Sequence, residues 1–393
     1  MIGNTMKEII YAIFLSFFLC GLCGNAEAKK KKEVKKAIKR EVQTPYDKLF
    51  KGKKAFTVNG LMKMHLMAGK VYAEFPIELL NRDLALTSSI EDISDNGEGV
   101  VGQFAGRVNQ FRFTLQDSML QARLVRRYGV KNTGMGKNAD QIIERSNTPG
   151  IFQSYKILAY TPDKKAVVVD MTELFLESSR LTNPFPSYAG NSLYGFVQRI
   201  HKFQSQRSEL LGICGNDNSM SVHCNLGFNV DRLVLGSFMQ AKDVPVSVTV
   251  NKILMLLPED PMRPRLADSR IGVNAIIQTE LPDVCQGIKT YYITKRWRIE
   301  PVDEIRYKQG EMVDVKKPIV FYIDTLMPDS WIKYVKAGAE AWNAAFEKIG
   351  LRNVVRTELF PKDSSFDAGD IHNSVIRYAP SWMYYPQYSM HTD

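Results

Sequence analysis

The five histidines, at positions 65, 201, 223, 372 and 391, are the first residues to test for chemistry. A zinc-protease helix needs two imidazoles one turn apart with a glutamate between them as base, and no H-x-x-x-H pair occurs anywhere in the chain. His223-Cys224 beside Cys214 lacks the paired C-x-x-C spacing of a structural zinc site. Neighbours in a strand point to opposite faces, so this His and Cys do not form a thiolate–imidazole pair. Asp363, Asp367 and Asp370 lack the alternating spacing and the glycine of a calcium loop and read as a solvated loop. Gly129 and Gly134 have phosphate-loop spacing, but Met135 stands where the lysine must be, so the stretch reads as a turn. Asp324-Thr325 is followed by Leu326 instead of the glycine of an aspartic-protease loop, and no serine sits in a G-x-S-x-G elbow. Catalytic groups and metal ligands of familiar spacing are therefore absent from the sequence.

The elements that would position such residues are mostly strands. Residues 45–92 read as a small N-terminal domain: a strand at 55–58, a turn at Asn59-Gly60, a strand at 70–75, a helical turn at 77–80, then the apolar 84–86. The loop 92–102, with Asp95, Asn96, Gly97 and Gly99, marks its boundary. Residues 93–299 read as a β-rich domain. Segments 110–115 and 120–125 alternate with period two about the turn 116–118, as in a hairpin with one wet face. A second hairpin is expected from 155–160 and 166–170, a short helix at 171–176, and strands at 219–228 and 246–257. After a linker at 300–316, the continuous apolar run 319–323 predicts a strand buried on both faces. A helix follows, capped by Asp329 or Ser330 and stopped by Gly350, with Trp331, Val335, Ala339, Trp342, Phe346 and Ile349 forming one stripe toward a sheet. Strands at 354–360 and 374–378 complete a β-α-β-β order. The fold class is α+β, with β-rich N-terminal domains ahead of the start of an α/β domain.

Composition bounds the rest. The chain has 393 residues, 45% hydrophobic and 24% charged, enough for two or three domains and too apolar for a disordered chain. Lys7, the apolar run 9–23 and Ala26-Glu27-Ala28 form the pattern of a signal peptide over residues 1–28. The run is shorter than the roughly 20 residues that cross a bilayer. Export is the expectation, to the periplasm, the outer cell surface or the medium. The formal charge of +10 concentrates in a basic tail and linker at 29–44, where eight Lys and Arg oppose Glu33 alone between positions 29 and 40. This tail, from Lys29 to Arg40, suits weak contact with an anionic surface; without interleaved aromatics it does not suit nucleic acid. Cys214, Cys224 and Cys285 remain after cleavage, an odd number that argues against a disulfide framework.

A set of strings then becomes distinctive: Leu257-Pro258-Glu259-Asp260-Pro261-Met262-Arg263-Pro264-Arg265-Leu266-Ala267-Asp268-Ser269-Arg270-Ile271-Gly272-Val273, Arg296-Trp297-Arg298-Ile299-Glu300, Lys317-Pro318-Ile319-Val320-Phe321-Tyr322-Ile323-Asp324, Ala341-Trp342-Asn343-Ala344-Ala345-Phe346, and Val375-Ile376-Arg377-Tyr378. Together they resemble the large secreted bacterial zinc-dependent metalloproteases, in which two uncharacterised domains precede a metzincin-like catalytic domain. The resemblance is specific from about 245 to 393 and weaker over 45–244. His372-Asn373 departs from it, because relatives usually have Arg-Tyr there. It implies that residues 317–393 are a partial metalloprotease-like catalytic domain ending before the family's H-E-x-x-H helix. It then implies no catalytic or metal-binding residue in this chain, with zinc expected only in full-length relatives. Peptide or protein substrates would lie along an edge strand of Ser374, Val375, Ile376, Arg377 and Tyr378. Arg263, Arg265, Asp268 and Arg270 are expected as ion pairs at a domain seam. The functional expectation is the N-terminal portion of an exported zinc-dependent metalloprotease, inactive alone. The alternative is an exported β-rich binding or scaffold protein without catalysis.

Overall fold

The computed structural model describes residues 43–104, 108–125, 131–133, 137–178, 183–185, 197–234, 238–282, 289–362, 366–370 and 372–380. The expected signal peptide, nearly all of the basic tail, the turn at Gly129–Met135 apart from 131–133, Cys285, Asp363 and His391 lie outside these residues.

A short helix, α1 (Pro45–Phe50), opens the described chain, with Thr44 and Asp47 capping each other reciprocally. Then come β1 (Phe56–Val58), β2 (Lys63–Met67), β3 (Lys70–Pro76), a single helical turn at Ile77–Leu79, and β4 (Asp83–Ile93). The expected hairpin is β5 (Asn109–Gln116) and β6 (Met119–Val125), where Phe111, Phe113, Leu120 and Ala122 are buried at period two. After β7 (Lys131–Thr133) and α2 (Lys137–Ser146) the sequence expectation of one strand at 155–160 fails. The segment divides into β8 (Gly150–Lys156), which joins β6, and β9 (Ala159–Tyr160), which joins β10 (Ala166–Asp170) in another sheet. Period two alone does not reveal such a change of sheet between two consecutive segments.

The helix α3 (Thr172–Leu176) precedes three long strands, β11 (Val197–Asn216), β12 (Ser219–Val234) and β13 (Phe238–Leu256). The sequence reading foresaw part of the last two and nothing of β11, whose mixed polar composition hides an edge strand. On β12, Met220, Val222, Cys224, Leu226, Phe228 and Val230 are all buried, one face of a sheet over eleven residues.

Two sheets result, ordered β1-β2-β3-β10-β9 and β11-β12-β13-β4-β5-β6-β8. They share one core in which Val71, Phe75, Val167 and Val169 of the first meet Leu86, Phe111, Phe113 and Val222 of the second. Phe75 and Phe113 touch with centroids 4.8 Å apart. The expected boundary near residue 92 is thus not a break in the core. β4 belongs to the seven-stranded sheet, and β9 and β10 complete the five-stranded one. The molecule is β-rich and of α+β class.

Beyond β14 (Ala275–Pro282) and β15 (Lys289–Thr294), the expected linker 300–316 is structured. It contains α4 (Glu304–Lys308) and β16 (Val313–Asp314), and β16 pairs with β18 (Leu351–Arg352). Val313 and Val315 are buried with Ile319, Leu351, Val354 and Val355 in a separate core. This part continues through β17 (Ile319–Ile323), α5 (Asp329–Glu340), α6 (Asn343–Glu347), β19 (Val355–Leu359) and β20 (Ser374–Ile376). Pro328, not Asp329 or Ser330, takes the cap position of α5, without a side-chain bond. Gly350, at φ +82°, ends the helical stretch in a left-handed conformation that favours glycine. The expected single stripe is rotated: Val335, Ala339 and Phe346 are half-buried, whereas Trp331, Trp342 and Ile349 are exposed. A break between α5 and α6 at Ala341-Trp342 re-phases the helix and turns Trp342 outward.

Candidate functional site

The expected substrate strand lies in a sheet of three parallel strands ordered β19-β17-β20. β17 occupies the centre because both its flanks are paired, through Ile319↔Val355 on one side and Phe321↔Ser374 on the other. β20 is an edge, and among the described residues no strand pairs with its outer side. Asp324, 7% exposed, closes the carboxyl ends of these strands. Its backbone N–H donates to Ile376 O at 2.9 Å, and its carboxylate accepts from the amides of Leu326 (2.9 Å) and Tyr378 (3.3 Å). A carboxylate held by two backbone amides is a structural clamp, as expected of a strand-terminal Asp.

The five expected site residues separate into two groups. Ser374, Val375 and Ile376 form β20 and are half-buried. Tyr378 leaves the strand and meets Trp331 edge-on at 5.9 Å, beside Asp324. Arg377 instead enters a seam with the seven-stranded sheet. A Cβ built on Gly102 would lie 2.5 Å from Arg377 Cδ, and Arg377 Nε is buried with no hydrogen-bond partner.

The same seam corrects the reading of the acidic loop as solvated. Asp367 accepts from Asn251 Nδ2 (3.1 Å) and Gly369 N (2.7 Å), and Asp370 from Asn216 Nδ2 (3.3 Å) and the ring of His372 (2.8 Å). Asn251 is fully buried on β13, and on the adjacent β12 His223 bonds Glu91 at 3.0 Å. The hydrogen bond to Glu91 raises the imidazole above its ordinary value, against the opposite pull of burial. His372 is therefore used here as a partner of Asp370.

Both described cysteines are free. Cys224 faces the core, its thiol pushed up to about 12 by burial. Cys214 at the surface is also raised, first by partial burial and then by the carboxylates of Asp367, Glu91 and Asp370. Neither environment favours a thiolate nucleophile. Arg263 and Arg265 offer backbone carbonyls to Arg296 Nη2 (2.5 Å) and Thr294 N (2.9 Å), so the expected ion pairs reduce to the local Asp268–Arg270 contact.

Two polar constellations had no sequence signal. Glu98, in the loop assigned as a boundary, is wholly buried and accepts from Arg199 (3.2 Å), His201 (2.8 Å) and Arg232 (3.0 Å). Burial would raise this carboxyl; the bonds from His201 and Arg232 and the charge of Arg199 outweigh it and hold it below the usual glutamate range. Thr57 Oγ1, His65 and Glu74 form a nucleophile–base–acid line, with contacts of 2.8 and 3.0 Å. Its geometry is that of packing rather than catalysis. Phe50 covers the imidazole at 4.4 Å, Tyr46 also donates to Glu74, and the Thr57–His65 contact is an ordinary cross-strand pair.

Residues 102–302 match a family described as a domain of unknown function (DUF5117), and residues 43–93 match a second domain of unknown function (DUF5118). The first match spans more than half of the chain. The chain belongs to the DUF5117 family. No curated protein and no solved structure matches it. The DUF5117 region contains β5–β15 and with them Arg199 of β11 and Arg232 of β12, whereas their partner Glu98, β20 and Asp324 lie outside it. Among the described residues no three His, Cys, Asp or Glu side chains converge as metal ligands. Together with the missing H-x-x-x-H spacing, the residues present do not fit a catalytic zinc, and no hydrolytic step is assigned to them. No described helix is long and apolar enough to cross a membrane.

Proposed function

We propose that this chain is the N-terminal, non-catalytic portion of an exported zinc-dependent metalloprotease and that its β20 edge receives the substrate backbone. The observation that carries the reading is the position of β20, unpaired on its outer side among the described residues and fixed at its carboxyl end by Asp324. An extended peptide adds to such an edge through main-chain hydrogen bonds. Two further features support it. The motif strings from 257 to 378 resemble that protease class, and domains of unknown function at 43–93 and 102–302 follow the order which the resemblance implies. Peptide hydrolysis in that class needs a metal to polarise the carbonyl and a carboxylate to shuttle the proton. The 393 residues lack the two-imidazole helix for both tasks.

The test has two readouts on the full chain. Incubated with an unfolded protein, it should show no cleavage that a chelator abolishes; chelator-sensitive hydrolysis would overturn the non-catalytic assignment. With an extended peptide in excess, backbone amides at 374–378 should exchange more slowly. Unchanged exchange there would remove the substrate-edge role and favour the scaffold reading.

A further inference from the structure

Residues 260–267 and 292–298 run side by side in opposite directions. Ala267 N donates to Tyr292 O (2.8 Å) and Thr294 N to Arg265 O (2.9 Å), with Leu266 bridged to Ile293 between them. Side chains continue the register, Arg296 Nη2 donating to Arg263 O (2.5 Å) and Arg298 Nη2 to Asp260 O (3.2 Å). Four arginines therefore gather on one short ribbon. Asp260 and Arg263 each precede a proline, which biases both toward extended backbone.

These arginines lack close carboxylates. Arg263 and Arg265 are exposed and form no ion pair or side-chain hydrogen bond with any described residue. Arg296 is half-buried and reaches only the Arg263 carbonyl, and Arg298 comes no nearer than 4.0 Å to Glu300. The acids nearby are already engaged, Glu259 by Arg82, Asp268 by Arg270 and Glu300 by Lys316. Elsewhere on the surface Arg112, Arg306 and Arg352 each hold a carboxylate. Gathered guanidinium groups repel one another, and an oxyanion that fits their fork relieves the repulsion.

The spacing favours a polypeptide. Two residues of extended chain span about 6.6 Å, so Arg263 and Arg265 match carboxylates at alternate positions of an extended peptide. Pro261 and Pro264 remove two backbone donors, which leaves recognition to side chains instead of a strand ladder. A nucleic acid would also supply oxyanions, but its strands are held by rings that stack on bases. Trp297, the ring between Arg296 and Arg298, is engaged edge-on with Phe321 at 6.1 Å.

We propose that Arg263, Arg265, Arg296 and Arg298 form a docking surface for an acidic polypeptide segment with carboxylates at alternate positions. The proposal does not depend on the protease reading. The test is fluorescence anisotropy of the full chain at low ionic strength with a short labelled peptide alternating Glu and Ser. Basic residues 29–40 attract such a peptide too, so the decisive comparison is with R263Q/R265Q. Both side chains are exposed and unbonded, so the variant should keep the wild-type melting temperature while binding about tenfold more weakly. Equal binding by variant and wild type would overturn the proposal and assign the contact to the tail. In the wild type, amides at 260–267 and 292–298 should exchange more slowly with peptide bound; unchanged exchange there would also overturn it. A peptide of the same composition with its glutamates in one block should show a smaller loss on R263Q/R265Q, and an equal loss would reject the alternating spacing. Oligothymidylate bound more tightly than the peptide, with the same dependence on Arg263 and Arg265, would assign the surface to nucleic acid instead.

Discussion

Lys252 interrupts the apolar series Val246, Val248, Val250 and Leu254 on the core face of β13, where it is 1% exposed. Its ammonium donates to Glu177 O at 2.7 Å, yet burial pushes its pKa from 10.5 down to about 8. A lysine depressed in the folded state contributes fully above its unfolded pKa, and that contribution is lost as pH falls through about 8. At pH 7 the buried charge therefore costs about 3 kcal/mol relative to alkaline solution. Lys252→Met should be more stable than wild type at pH 7 by less than this, because the Glu177 carbonyl loses its donor. The advantage should shrink by about 1 kcal/mol between pH 7 and 9 in urea melts. A difference that does not move with pH would show that Lys252 is protonated alike in the folded and unfolded chain, so that burial does not depress it. Glu98 presents the opposite case at this scale. Its burial is compensated by three cationic or imidazole partners, and its contribution fades only as pH falls below the ordinary glutamate range.

Among the elements, the seam between the 366–378 segment and the seven-stranded sheet depends on a single backbone conformation. Gly102 has φ +82° and lies under Arg377, so an alanine there meets both a disfavoured conformation and a Cβ contact of 2.5 Å. Gly102→Ala should destabilise the seam by about 1–3 kcal/mol, seen as faster hydrogen exchange at 372–378 while β5 and β6 keep their protection. Combining it with Arg377→Ala should recover the steric part and leave the backbone part, a coupling that a double-mutant cycle reads directly. Equal losses with and without the Arg377 side chain would refute the contact. The elements also show where period-two reasoning stops. β5 and β6 were legible because both lie on one face of one core. β8 and β9 were not, because the chain changes sheets between them at Ile157-Leu158.

For the whole molecule, the decisive asymmetry is between two cores. The β-rich part buries a large shared core from both sheets, whereas the 313–355 core is small and leaves aromatic surface on its helices. Trp331 is 54% and Trp342 66% exposed, with Tyr334 68% and Leu326 81% exposed nearby in sequence. Apolar surface of this extent promotes association. W331S/W342S should lower concentration-dependent self-association and hydrophobic-dye binding of the full chain in sedimentation and fluorescence measurements, with little effect on its melting. Unchanged association would mean that these rings are not the sticky surface.

The sequence by itself determined the strand-rich class, the hairpin at 109–125, the strand Ile319–Ile323, though not its burial on both faces, and the absence of zinc-helix spacing. Each follows from contacts or periods local in the chain. Its motif strings carried the protease resemblance. Only the tertiary structure decided that the expected linker belongs to a core, that Arg377 faces Gly102 instead of a free edge, and that Asp367 and Asp370 dock on a sheet. It also decided that Glu98 is buried among partners 101 to 134 positions away. The physical reason is range. Periodicity reports which face of an element turns inward, whereas partners brought together by folding leave no spacing in the chain to be read.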